Sequence, residues 1–232
     1  MLHIQELAVH RGQGKDLHKV KLTELQLQPG QVLAITGPSG CGKSTLLECI
    51  GLLLRPDSVA QYQLGRDQLD IISLLTSHND QQLAAIRARH LGFMLQSGGL
   101  LPFLTVAENI QLPRQLLGLP AQSERINHAL DCLKVTHLVN KHPKALSIGE
   151  RQRIAFIRAM AHEPDILLAD EPTAALDPHS AHALFELFLS VVAELQLGAL
   201  VVSHDWNLLQ DFALQRMVAS YRQGETQFDL EP

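Results

Sequence analysis

Cysteine is scarce in this sequence. Cys41, Cys49 and Cys132 are too few and too scattered along the chain for a disulfide framework or a spaced zinc motif. Such usage fits a reducing compartment. Long apolar runs are missing as well. The longest candidate, Leu187 to Val202, is broken by Glu194 and Gln196 and falls short of the about 18 apolar residues that a membrane span needs. Met1 to His10 contains Glu6 and no apolar run, so no signal peptide is expected. A basic surplus is also absent. With 19 Lys and Arg against 24 Asp and Glu, the net charge is −5, which argues against a sequence-independent grip on nucleic acid. Neither an internal repeat nor a low-complexity tract is seen. What remains is a chain of 232 residues, 46% hydrophobic, sufficient for one large α/β domain or two small lobes.

Against these absences stands Gly37 to Thr45, which reads GPSGCGKST. Gly37, Gly42, Lys43 and Ser44 occupy the fixed points of the phosphate-binding loop G-x-x-x-x-G-K-[ST]. Glycines let successive N–H groups turn toward one centre, which suits a polyphosphate. Pro38, Ser39, Gly40, Cys41 and Thr45 complete the cradle. Lys43 supplies a point charge for the β- and γ-phosphates, and the Ser44 hydroxyl is a ligand for Mg²⁺. Gln31 to Thr36 predicts a short buried strand before the loop, and Lys43 to Ile50 a helix after it. Strand, loop and helix together put the phosphates at a helix N-terminus.

The flanking segments organise around this motif. Val20 to Leu27 alternates apolar and polar residues, as an antiparallel strand with one covered face does, and Leu2 to Val9 is a weaker strand. Pro29-Gly30 marks a turn, and Leu91 to Leu95 a short apolar strand. From Ser97 to His162 the period becomes helical, over Val106 to Leu117, Ser123 to Leu133 and Ser147 to Met160. This predicts a helical subdomain over 97–162 inserted into an α/β core of 1–96 and 163–232, the first part including an antiparallel β subdomain. The core resumes with a strand to Asp170, a helix near His179 to Leu195, and a strand from Ala199 to Ser203. After Tyr221 a final strand and a loose end are expected.

Ile166 to Asp170 is an apolar strand ending in a carboxylate, followed by Glu171. Phosphate-loop proteins deliver a Mg²⁺-holding Asp in this way, and the next carboxylate is placed to orient or deprotonate water. An ordinary acidic turn is the simpler reading of the same residues taken alone. Ser147 and Glu150 form a capping box, and a capped helix start with Ser147 and Gly149 exposed is also an anion site. His179, His182 and Glu186 share a helix face at metal-like spacing, for which a solvated face is the simpler explanation.

Leu146-Ser-Ile-Gly-Glu150 with Arg151-Gln-Arg153 resembles the LSGGQ signature of the ATP-binding cassette (ABC) ATPases. Gln96 resembles the Q-loop glutamine, Ala175-Leu-Asp177 the D-loop and His204 the switch histidine, all in the family's order. The resemblance spans essentially the whole chain and implies a phosphate-loop α/β fold. It implies ATP and Mg²⁺ as cofactors, with Ser44, Gln96 and Asp170 at the metal and Glu171, His204 and Gln96 in catalysis. It further implies an ATP-induced homodimer in which Ser147 and Gly149 of one copy close the phosphate loop of the other. The partner is then an integral-membrane permease, the location the inner face of the cell membrane, and no nucleic acid is expected. Glu150-Arg-Gln-Arg153, the Leu-Leu-Pro after Gln96, and Leu168-Ala-Asp-Glu-Pro-Thr173 resemble the lipoprotein-releasing and macrolide-export subgroup. The apolar stretch Ser97 to Thr105 either lines the permease groove or plugs the helical subdomain. Two departures stand out: Ile148 replaces a signature glycine, and His10 or Arg11 sits where an adenine-stacking aromatic is expected. A non-transport cassette acting on nucleic acid or ribosomes, and a small-molecule kinase, are the alternatives.

Overall fold

The computed structural model describes every residue except 13–17, 122, 223 and 232. Among the described residues, ten strands form one sheet. The parallel core contains β3 (Val32–Thr36), β6 (Leu91–Met94), β7 (Ile166–Asp170) and β8 (Gly198–Val202), in the order β3-β8-β7-β6. Leu33, Ile35, Ile166, Leu168, Leu200 and Val202 face one hydrophobic cluster, and their neighbours Ala34, Leu167, Ala169, Ala199 and Val201 face the other. A strand buried on both faces must be apolar at every position, which is why these segments read as continuous runs rather than alternations.

The other half of the sheet is mostly antiparallel. β1 (Leu2–Arg11) pairs with β2 (His18–Leu27) and with β4 (Gln61–Leu64), which carries the short β5 (Leu69–Asp70). Two late strands join this arm to the core. β9 (Gln215–Arg222) runs parallel to β3, and β10 (Glu225–Leu230) returns antiparallel to β9 and parallel to β2. The expected strand after Tyr221 is therefore the second of a pair. The apolar stretch Leu187 to Val202 divides between a helix end and β8.

Helix α1 (Lys43–Ile50) packs Leu46, Leu47 and Ile50 against the arm side of the sheet. Two helices, α2 (Ile72–Thr76) and α3 (Asp80–His90), precede β6, and α3 buries only Leu83. Residues 97–162 hold α4 (Val106–Leu116), α5 (Glu124–Cys132) and α6 (Ile148–Met160), with two short 3₁₀ turns between α5 and α6. Their apolar residues share one cluster with α7 (Pro178–Glu194) and a face of the core sheet. α6 lies so close to β6 that a methyl on Gly92 would sit 2.1 Å from the Ala159 carbonyl oxygen. The short α8 (Trp206–Asp211) follows β8.

Candidate active site

The register of the parallel core decides where the chemistry collects. Met94 pairs with Ala169, Asp170 with Val202, and Val202 with Ile35. The carboxyl ends of four adjacent strands are therefore level. The phosphate loop, Gln96, Glu171 and His204 each begin within a few residues of that row, on the sheet edge where α/β proteins bind ligands.

The loop itself is shaped by its glycines. Gly42 has φ +99° and caps the start of α1, and a Cβ there would come within 2.5 Å of Val20. Gly40, at φ +77°, turns in open space. Only glycine takes such backbone without strain. Lys43 is buried, and its ammonium donates to the carbonyl oxygens of Gly37 and Pro38, both at 2.9 Å. Its charge is held at the centre of the cradle. The Ser44 hydroxyl donates to Asp170 Oδ2 at 3.2 Å, joining α1 to the end of β7. Burial pushes the Asp170 carboxyl above its ordinary range and the Glu171 charge adds to this, while the Ser44 hydrogen bond opposes it.

Glu171 is the pivot. It adopts φ +49°, the left-handed region that a non-glycine residue enters only under constraint. Its N–H donates to the Val202 carbonyl at 2.9 Å, which fixes the turn. Its two carboxylate oxygens are held from opposite sides. Oε2 accepts from Gln96 Nε2 at 3.2 Å, and Oε1 lies 3.0 Å from His204 Nδ1. Gln96 is in turn fixed through its backbone carbonyl, which accepts from Gln152 Nε2 of α6 at 2.9 Å. Ser44 with Asp170, and Gln96 and His204 with Glu171, thus form two hydrogen-bonded groups centred on consecutive carboxylates.

Ser147 and Gly149 lie elsewhere, at the exposed start of α6. The capping box is present: Ser147 Oγ accepts from the Glu150 N–H at 3.2 Å, and Glu150 Oε2 accepts from the Ser147 N–H at 2.7 Å. That backbone donor holds the Glu150 carboxyl below its usual range. Ile148 is 45% exposed on the same turn. Asp177, from the stretch that resembles a D-loop, caps α7 by accepting from the Ser180 N–H at 3.1 Å.

His10 is turned to a different task. Asp57 Oδ2 accepts its backbone N–H at 2.6 Å and lies 2.9 Å from its ring Nδ1, and Arg11 pairs with Glu48 of α1. The cavity beside the phosphate loop, about 340 Å³, is lined instead by His18, Tyr221, Thr226, Ala219 and residues Pro38 to Cys41. The His18 and Tyr221 rings are stacked, with centroids 6.1 Å apart and planes 8° from parallel. They come from β2 and β9, at opposite ends of the chain, so no local motif could have paired them. Of the metal-spaced trio on α7, His182 packs on the Phe212 ring at 4.5 Å, while His179 and Glu186 are exposed.

Residues 20–174 match the family model described as ABC transporter. The lipoprotein-releasing system ATP-binding protein LolD of Paramagnetospirillum magneticum is 38% identical over 199 residues, covering 84% of this chain and 85% of LolD. The methionine import ATP-binding protein MetN 1 of Listeria monocytogenes is 37% identical over 199 residues, covering 85% of this chain. The chain spans only 56% of that protein's length. Among solved structures, dimeric MJ0796, a bacterial ABC transporter cassette, superposes with TM-score 0.79 at 30% identity, over 97% of this chain and 96% of that one. The same protein is known as a dimer in a post-hydrolysis state bound to ADP and Pi. CbiO1 from Clostridium perfringens, part of the cbiONQ ABC transporter complex, gives TM-score 0.79 at 25% identity over 97% of this chain and 86% of that one. The chain belongs to the ABC transporter family. It is the ATP-binding, ATP-hydrolysing cassette of such a transporter.

Proposed function

We propose that this cassette hydrolyses ATP with Glu171 as the group that polarises the attacking water, and that it does so in a dimer seated on a membrane permease. The observation that carries the reading is the clamp on Glu171, whose two carboxylate oxygens are engaged by Gln96 and His204 beside the Ser44–Asp170 pair. A carboxylate fixed in this way needs little reorganisation as a water's proton is drawn off. With ATP bound, His204 and the Lys43 ammonium would meet the γ-phosphate, and the glycine loop Gly37 to Thr45 would carry the β-phosphate.

The donor set of Ser44, Asp170 and Gln96 is all oxygen once the glutamine turns its carbonyl inward, which suits Mg²⁺. Mg²⁺ bound there would neutralise charge on the β- and γ-phosphate oxygens. Asp170, half-buried and pushed up by burial, has a carboxylate whose charge gains a counter-charge when the cation binds. For the base, His18 and Tyr221 offer a stacked platform next to the loop. With His10 held by Asp57, this pair takes the role that the sequence left open.

Ser147 and Gly149 close the site from the second copy. The capped start of α6 presents free N–H groups and the positive end of a helix, and Ile148 beside them is exposed in the single chain. The dimeric MJ0796 cassettes support that assembly. Residues 97–162 act as the helical subdomain that carries this surface. A groove of about 450 Å³ between α3 and α4, with Leu53, Leu95, Leu112, Leu116 and Leu117 along it, is the seat for the permease. Leu116 is 78% exposed there. Asn109 ties the turn before α4 through the carbonyls of Leu101, Leu104 and Thr105, so Leu101 and Leu104 serve the turn while Phe103 projects outward.

Among the described residues no helix is long and apolar enough to cross a membrane, which supports a cassette held at the membrane's inner face by its permease. The net charge of −5 supports a protein partner over nucleic acid. The 38% identity to LolD supports a lipoprotein-releasing-like subgroup. A methionine importer matches at 37%, so these identities track ATP chemistry rather than cargo.

The test is ATP binding and turnover by the purified chain with Mg²⁺. Glu171→Gln is expected to bind ATP as tightly as wild type while losing about 10²-fold or more in turnover. Near-normal turnover would remove Glu171 from its role. In the same binding assay Tyr221→Ala should weaken ATP about five-fold, as expected for about 1 kcal/mol of lost stacking. An unchanged affinity would return the base to another surface.

A further inference from the structure

The three cysteines carry no metal motif by spacing, yet folding gives one of them two partners. His128 and Cys132 stand one turn apart on α5, at i and i+4, and so project from the same helix face. Glu194, the last residue of α7, reaches that face from the core. His128 Nε2 lies 2.8 Å from Glu194 Oε2 and 3.3 Å from Cys132 Sγ. One ligand atom from each of the three residues lies within 4.8 Å of the others.

We propose that His128, Cys132 and Glu194 form a binding site for Zn²⁺ or a similarly thiophilic divalent ion, separate from the nucleotide site. The distances fit that use. With Zn–N and Zn–O near 2.0 Å and Zn–S near 2.3 Å, the ligand atoms of a tetrahedral site stand about 3.3–3.5 Å apart. The N···S separation already matches, and the N···O separation opens by about 0.5 Å through a flexible glutamate. A thiolate and an imidazole select zinc over the hard Mg²⁺ that serves the phosphates. Side-chain exposures of 41% for His128 and 55% for Glu194 give an entry path and leave a fourth position for water.

The location gives the site a consequence. α5 lies within the helical segment that leads to α6, whose first turn carries Ser147 and Gly149. α7, capped by Asp177, starts near the phosphate-loop edge. A bound ion would tie these two helices together at the end remote from Asp177, fixing the helical segment against the core.

The experiment uses the full chain without nucleotide, titrated with ZnCl₂ alone. The readouts are calorimetric binding, alkylation of each cysteine followed by mass spectrometry, and Co²⁺ absorption. Zinc should slow alkylation of Cys132 at least tenfold while leaving Cys41 unaffected, and Co²⁺ should give a thiolate-to-metal absorption band. Cys132→Ser should abolish that band, and His128→Asn and Glu194→Gln should each weaken zinc at least tenfold. The two polar replacements sit at partly exposed positions, so folding is preserved. Zinc that binds equally well to all three variants, or that leaves Cys132 alkylation unchanged, overturns the site.

Discussion

At the scale of single residues, the candidate site was legible wherever the chemistry demands local spacing. Gly37, Gly42, Lys43 and Ser44 must sit close together because one turn of backbone and one helix start wrap one phosphate. Asp170 and Glu171 were legible because an apolar strand ending in carboxylates has few other uses in such a context. His18 with Tyr221, and Glu194 with Cys132, were not legible, since each pair is made by strand pairing or helix packing between distant segments. Ile148 is the residue at which this chain departs from the signature it resembles. It is exposed, and a methyl on its neighbour Gly149 would meet only Leu176, at 3.8 Å. Nearly half of its surface is left open, so that part of its bulk falls on whatever docks there. Ile148→Gly is expected to raise ATP turnover by up to about tenfold, equivalent to about 1.4 kcal/mol of relieved contact. A steady-state rate that does not change would show that Ile148 leaves the interface undisturbed.

At the scale of elements, β2, β3, β7, β8, α1 and α7 could be read from period and flanking turns, because each buries a full face or stripe. The segment between α1 and β6 could not. α3 buries only Leu83, and β4 and β5 are short, so no period stands out. Scattered buried residues, Tyr62, Leu64, Ile71 and Leu83, anchor that segment, and a polar contact adds to them. Asp165, just before β7, bonds His90 Nδ1 at the end of α3 at 2.7 Å and pairs with Arg66 at 3.6 Å. Burial alone would raise the Asp165 carboxyl, but the His90 hydrogen bond and the His90 and Arg66 charges outweigh it and hold the group below its ordinary range. A folded-state pKa below the unfolded one, about 3.9, stabilises the fold at neutral pH, and that gain is lost as pH falls through the folded value. Asp165→Asn should therefore cost about 1–3 kcal/mol at pH 7. In urea melts the difference from wild type should shrink as the pH is lowered from 5 toward about 3. A difference that stays constant over that range would mean the carboxylate charge is not what holds the segment.

At the scale of the whole molecule, the proposed reading makes a single chain half of the ATPase. The level strand ends assemble Gln96, Asp170, Glu171 and His204 around the phosphate loop, while α6 carries Ser147 and Gly149 away to an exposed helix start. A helix N-terminus facing solvent with its cap intact is stable alone, and in the proposed dimer it would meet the triphosphate held by the other copy. The central claim is this shared site. It is tested most directly by sedimentation velocity of the Glu171→Gln protein with and without saturating MgATP. The account predicts that ATP doubles the sedimenting mass, and that Ser147→Asp in the same background abolishes the doubling while its aspartate keeps α6 capped. A protein that stays at one mass with ATP bound, or a dimer indifferent to the charge at Ser147, would contradict it.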